Sequence, residues 1–173
     1  YSYREHQAPV VDAIRRHQQG MYRAPTGSGK TATICGLLWE THPTFALILV
    51  DRTPLLDQWV KAIGDRIGIP ASEVGRIGEG RWSTGRITVA TVQSLYRKWD
   101  EPKVQNLLGR QSVVVLDECH HATADTYRRL LDSSTARYRL GVSATPDKTG
   151  EFELARLTPV SYTHLRAHET RGN

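Results

Sequence analysis

The chain predicts an α/β domain, a parallel sheet sandwiched by helices, on three observations. Short runs rich in Val, Ile and Leu recur along it, amphipathic stretches alternate with those runs, and each run ends in polar residue types. Strands buried on both faces read as near-continuous apolar runs, whereas half-solvated strands alternate. In an open parallel sheet the carboxyl ends of the strands line one crevice, so the polar residues that follow the runs are expected to share a ligand site.

In chain order, the amphipathic stretch Gln7 to His17 predicts a helix, and Gly20 to Arg23 a short strand entering a glycine-rich turn. The apolar-periodic segment Lys30 to Thr41 predicts the helix leaving that turn. Thr44 to Asp51 (TFALILVD) reads as a strand and Pro54 to Ile67 as a helix. Gly75 to Gly85 (GRIGEGRWSTG) reads as a connecting loop or hairpin, because glycine punctuates it. Its Arg76, Arg81 and Trp82 suit either a nucleic acid or an exposed loop with a partly packed Trp. Ile87 to Thr91 is a strand followed by a short turn after Gln93. Ser112 to Asp117 is a strand, Ala124 to Leu131 a helix, and Tyr138 to Ser143 a strand.

With 173 residues the sequence fits one domain and leaves no room for a second lobe. The 23 basic against 18 acidic residues give a net charge of +5, compatible with a polyanion partner; pairs such as Arg15-Arg16 and Arg128-Arg129 read first as solvated helix faces. No apolar run approaches the about 18 residues of a membrane span, and no charged-then-apolar leader opens the chain. The expectation is a cytoplasmic protein without a membrane partner. Cys35 and Cys119 are too few for a disulfide framework, which suits a reducing compartment, and Cys35 reads as core. A start at Tyr1 rather than Met reads as a piece of a longer frame.

Ala24-Pro25-Thr26-Gly27-Ser28-Gly29-Lys30-Thr31 is a phosphate-binding loop with Ala24 where the strict pattern has Gly. Gly27 and Gly29 let the backbone curl until successive N–H groups point at phosphate oxygens, Lys30 reaches the β and γ oxygens, and Thr31 offers a hydroxyl to Mg²⁺. The N-terminus of the following helix adds its partial positive charge. Far downstream, Val113-Val114-Val115-Leu116 delivers Asp117 and Glu118 at a strand end. Asp117 is expected in the Mg²⁺ coordination shell, with Glu118 beside it to orient and deprotonate an attacking water. Loop and acid pair together define an ATP site. Cys119-His120-His121 invites a zinc reading, but three consecutive residues do not readily converge on one tetrahedral ion, and no second Cys/His cluster stands at ligand spacing.

In this order the segments resemble the superfamily 2 helicases and translocases, from about Tyr3 to Pro146. Arg4-Glu5-His6-Gln7 resembles the adenine-recognition element, APTGSGKT motif I, and Leu49 to Trp59 (LVDRTPLLDQW) motif Ia. Ala90 to Leu95 (ATVQSL) resembles motif Ib, Asp117-Glu118-Cys119-His120 the "DECH" motif II, and Ser143-Ala144-Thr145-Pro146 motif III. The resemblance implies a RecA-like P-loop NTPase lobe. Within it Arg4, Gln7, Pro25, Thr26, Gly27, Ser28, Gly29, Lys30 and Thr31 hold ATP, and Thr31 and Asp117 hold Mg²⁺. Lys30, Asp117 and Glu118 are catalytic. Arg52, Thr53, Thr91, Gln93 and Ser94 lie along nucleic acid, and His120, Ser143 and Thr145 couple hydrolysis to movement. Asp51 stands where motif Ia usually has a small polar residue.

The branch of restriction-enzyme motor subunits and repair-type DNA translocases is the most similar. It implies the ATP-binding lobe of a translocase on double-stranded DNA, with an RNA helicase lobe or a non-catalytic nucleic-acid-binding scaffold as alternatives. Intact Lys30, Thr31, Asp117 and Glu118 favour hydrolysis over a scaffold. The family closes its site with a second lobe bearing arginine fingers, which is absent here, so the chain alone is expected to turn ATP over slowly or not at all. The domain is expected to run from 1 to 159. The tail from 160 to 173 has no apolar periodicity suited to a strand, and is read as disordered or non-native.

Overall fold

The computed structural model describes residues 7–23, 29–118, 123–144 and 164–166. Six helices occur among them: α1 (Gln7–His17), α2 (Lys30–Thr41), α3 (Thr53–Ile67), α4 (Val92–Arg97), α5 (Pro102–Gly109) and α6 (Ala124–Asp132). The strands are β1 (Gln19–Arg23), β2 (Ala46–Val50), β3 (Gly75–Gly78), β4 (Arg81–Trp82), β5 (Ile87–Thr91), β6 (Val113–Asp117), β7 (Tyr138–Ser143) and β8 (His164–Arg166). They form one sheet in the order β4-β3-β5-β2-β6-β7-β1-β8, parallel throughout except for the β3–β4 pair. None of the described helices is long and apolar enough to cross a membrane.

Alternation along the central strands splits the core in two. Ala46, Ile48 and Val50 of β2, with Val113 and Val115 of β6, face a layer built from Val10, Val11 and Ile14 of α1, Ile34, Cys35 and Leu37 of α2, and Leu56, Val60 and Ile63 of α3. Leu47, Leu49, Val114 and Leu116 face the other way, onto Leu95 of α4, Val104, Leu107 and Leu108 of α5, and Leu130 of α6. This is why β2 and β6 are apolar at nearly every position: both faces are covered. Pro at the start of α3 and of α5 supplies a preset φ where a helix has no N–H to lose, and Gly68 ends α3 in the left-handed region.

Of the two readings of Gly75 to Gly85 the structure takes the hairpin, and three other features differ from the sequence reading. Gly75 to Gly85 is not only a connection: β3 joins the sheet parallel to β5, and β4 folds back on β3. Positive φ at both Glu79 (50°) and Gly80 (77°) gives the two-residue turn whose twist matches a hairpin. Helix α4 begins at Val92, one residue before Gln93, as Thr91 leaves the strand. The unanticipated α5 is short, with Val104, Leu107 and Leu108 supplying its buried stripe. The tail, read as lacking any strand, contributes β8 on the outer edge of β1, pairing Met21 with His164 and Arg23 with Arg166. An edge strand recruits a neighbour through backbone N–H and C=O groups, which need no apolar side-chain pattern. The rest of the tail lies outside the described residues.

Candidate active site

Register levels the ends of three adjacent strands. Arg23 of β1 lies opposite Ser143 of β7, and Val142 opposite Asp117 of β6. The end of β1, Ser143 and the acid pair therefore stand on the same stretch of the carboxyl edge, although they are far apart in sequence.

Gly29 ends the phosphate loop and precedes α2 with φ 87° and ψ 31°, a conformation cheap only for glycine. Its carbonyl is an anchor point. It accepts the Thr33 backbone N–H at 2.9 Å, the Thr33 hydroxyl at 3.2 Å and the Gln7 side-chain amide at 3.3 Å. Having donated to Gly29, Thr33 Oγ1 accepts from the Tyr22 hydroxyl at 3.4 Å. Side chains from α1, β1 and α2 thus hold one peptide in place. The N-cap of α2 is a glycine, and a helix N-terminus carries a partial positive charge suited to an anion. Gln7, assigned to the adenine by resemblance, is buried, and its amide is turned to the loop.

On β6, Asp117 Oδ2 accepts the Trp59 indole N–H at 2.7 Å, and Oδ1 accepts the Glu118 backbone N–H at 3.0 Å. Burial pushes the Asp117 carboxyl above the ordinary aspartate range. The Trp59 hydrogen bond opposes this, the Glu118 charge reinforces it, and the Glu118 amide and the Lys30 ammonium pull it back down. Glu118 sits at φ 50°, outside the strand geometry, which turns it away from the ladder. A mostly buried carboxylate beside a second one is a setting that a divalent cation relieves, and Lys30 lies close enough for its charge to be felt. The residues present fit ATP with Mg²⁺.

Beyond β6 the same edge continues into β2, β5 and β3, and here a cavity of about 510 Å³ opens. All five residues assigned to nucleic acid, Arg52, Thr53, Thr91, Gln93 and Ser94, line it. Thr91 is itself buried and donates its hydroxyl to Ser94 at 2.7 Å, which orders the start of α4. The acid at Asp51 is paired: Arg52 Nε donates to its Oδ2 at 3.2 Å. Arg81, Arg97 and Lys98 add basic charge to the wall, Glu79 subtracts one, and Trp82 closes one side with Lys103 Nζ 4.5 Å above its ring. Arg76 instead bonds Asp57 on α3. Sequence reasoning missed Arg97 and Lys98, whose only signal is their place one helical turn past the Thr91–Ser94 segment. It also assigned no role to Trp59, Tyr22 or Thr33. Arg4, Pro25, Thr26, Gly27, Ser28, Cys119, His120, His121 and Thr145 lie outside the described residues.

Comparison with known proteins adds three findings. Residues 1–148 match the family described as Type III restriction enzyme, res subunit. The chain is 31% identical over 152 residues to the DNA 3'-5' translocase XPB2 of Sulfurisphaera tokodaii, and 28% identical to the putative DNA 3'-5' helicase Rad25 of Haloarcula marismortui. Each match covers 87% of this chain but only 33% and 24% of those proteins. In structure it is similar to a hypothetical ATP-dependent RNA helicase from Sulfolobus tokodaii, with a TM-score of 0.79 at 21% identity over 96% of this chain and 53% of that one. The last likeness shows the fold, a RecA-like α/β domain. The chain spans about a third or less of the length of the curated relatives it matches.

Proposed function

The chain belongs to the type III restriction enzyme res subunit family, and from that premise we propose that it is the ATP-binding lobe of an ATP-driven translocase on nucleic acid. The observation that carries this reading is the single carboxyl edge, on which Lys30, Asp117 and Glu118 stand at one end and a partly basic cavity at the other. Lys30 binds the β and γ phosphate oxygens, helped by the N-terminus of α2 and by the loop residues Pro25, Thr26, Gly27, Ser28 and Gly29. Thr31 and Asp117 hold Mg²⁺. Glu118 takes a proton from the attacking water at its carboxylate. ATP with Mg²⁺ supplies the phosphoryl group whose transfer to water drives movement. Arg4 and Gln7 serve the adenine end, and His120, Ser143 and Thr145 couple the site to motion.

Nucleic acid runs across Arg52, Thr53, Thr91, Gln93 and Ser94. Our reading is double-stranded DNA: the names of the XPB2 and Rad25 relatives specify DNA, and an RNA helicase lobe is the competing reading that the Sulfolobus neighbour's description keeps open. The buried thiol of Cys35 and the lack of a membrane-length helix among the described residues support a cytoplasmic setting. A second RecA-like lobe completes the site, so this chain alone binds ATP weakly and hydrolyses it slowly. The direct test is Lys30→Ala in a titration with a fluorescent ATP analogue. Binding is expected to vanish while the circular dichroism spectrum is kept; equal affinity in the variant refutes the assignment.

A further inference from the structure

Trp59 lies on α3, is 3% exposed, and reaches across to the end of β6 to donate its indole N–H to Asp117 at 2.7 Å. A buried indole needs an acceptor, and a backbone carbonyl is the cheap solution. Here the acceptor is a carboxylate, which makes the bond charge-assisted and strong. The second carboxylate oxygen is held by the Glu118 amide at 3.0 Å. One donor is fixed by the backbone, the other by a ring embedded between α3 and the sheet, so the carboxylate plane has little freedom left. Removal of either donor leaves the group free to rotate.

We propose that Trp59 is a positioning residue for Asp117, its indole N–H fixing the carboxylate in the orientation that binds Mg²⁺ together with nucleotide. The proposal rests on the reading of Asp117 as the Mg²⁺ carboxylate. Partners that orient a metal ligand typically contribute about 10–100-fold to metal affinity.

The test compares the wild-type chain, Trp59→Phe and Asp117→Asn by titration with a fluorescent ATP analogue, once in Mg²⁺ and once in EDTA. Trp59→Phe keeps an aromatic ring in the core and removes the donor. It is expected to lose about 10-fold or more of the affinity gained from Mg²⁺ and to match wild type in EDTA. An equal loss with and without Mg²⁺ marks a merely structural role and overturns the proposal, as does full retention of the gain. If Asp117→Asn keeps the gain, or wild type never shows one, the Mg²⁺ reading falls and this proposal with it. Should Trp59→Phe not fold, the Trp59 indole resonance in a ¹H–¹⁵N spectrum of the wild-type chain decides. It is expected to move on adding Mg²⁺ with a non-hydrolysable ATP analogue, and to move less with the analogue in EDTA. No difference between the two overturns the proposal.

Discussion

Gly29→Ala puts a methyl group at φ 87°, well inside contact distance of the Gln7 amide nitrogen. The left-handed backbone costs a residue with a Cβ about 1–2 kcal/mol. Gln7 is 2% exposed, so the methyl group shifts its amide within the interior and breaks its bond to the Gly29 carbonyl, at about 0.5–1.5 kcal/mol. The two effects together predict a loss of about 1.5–3.5 kcal/mol, or roughly 3–14 °C in Tm for a domain of this size. The clash is separable from the backbone strain. In a Gln7→Ala background the amide is gone, and Gly29→Ala should then cost only the left-handed term, about 1–2 kcal/mol. Thermal unfolding of the four chains in the cycle reads this directly. The same loss in both backgrounds would refute the claim that Gln7 bears on the loop.

The buried Asp117 carboxyl, raised above its ordinary range, predicts a pH effect on the nucleotide-free chain. Folding favours its protonated form, so its contribution is fully present below the unfolded pKa and lost as pH rises through the higher folded value. Asp117→Asn should therefore gain stability relative to wild type as pH climbs from about 4 towards 7; parallel Tm profiles would contradict this. Burial pushes the Cys35 thiol up to about 12, so a Cys119→Ala chain should stay unreactive to a thiol-specific disulfide reagent at pH 8 until denaturant is added; prompt labelling of the folded chain would count against it. Arg81→Ala and Arg97→Ala, which thin the basic wall of the cavity, should each lower the slope of log Kd against log salt for duplex DNA by about 1. Unchanged slopes would move the nucleic acid elsewhere.

Sequence legibility followed how locally each feature is encoded. Strands β2 and β5, and β6 up to Leu116, are unbroken runs of Val, Ile, Leu, Ala and Thr because both faces are covered, and such runs are read without knowing their neighbours. Lys30, Thr31, Asp117 and Glu118 are recognisable because phosphate and metal chemistry demands those residue types at that spacing. The hairpin of β3 and β4 was one of two readings of its glycines, left undecided because its turn depends on a positive φ that Glu79 does not advertise. Strand β8 was hidden because an edge accepts nearly any side chain. The Trp59–Asp117 bond spans 58 residues, and only the packing of α3 against the sheet reveals it.

The strand order also works as a ruler. From β1, which feeds the phosphate loop, to β5 at the heart of the cavity there are four strand steps of about 4.8 Å, roughly 19 Å in all. Screening at physiological salt decays over about 8 Å. Between solvent-facing charges at the two ends the interaction is therefore faint. A solid link does cross that distance: α3 begins at Thr53 in the cavity wall and carries Trp59 to the Asp117 carboxylate. On the proposed function α3 is a lever between the two ends, and its stiffness sets how faithfully a displacement at one reaches the other.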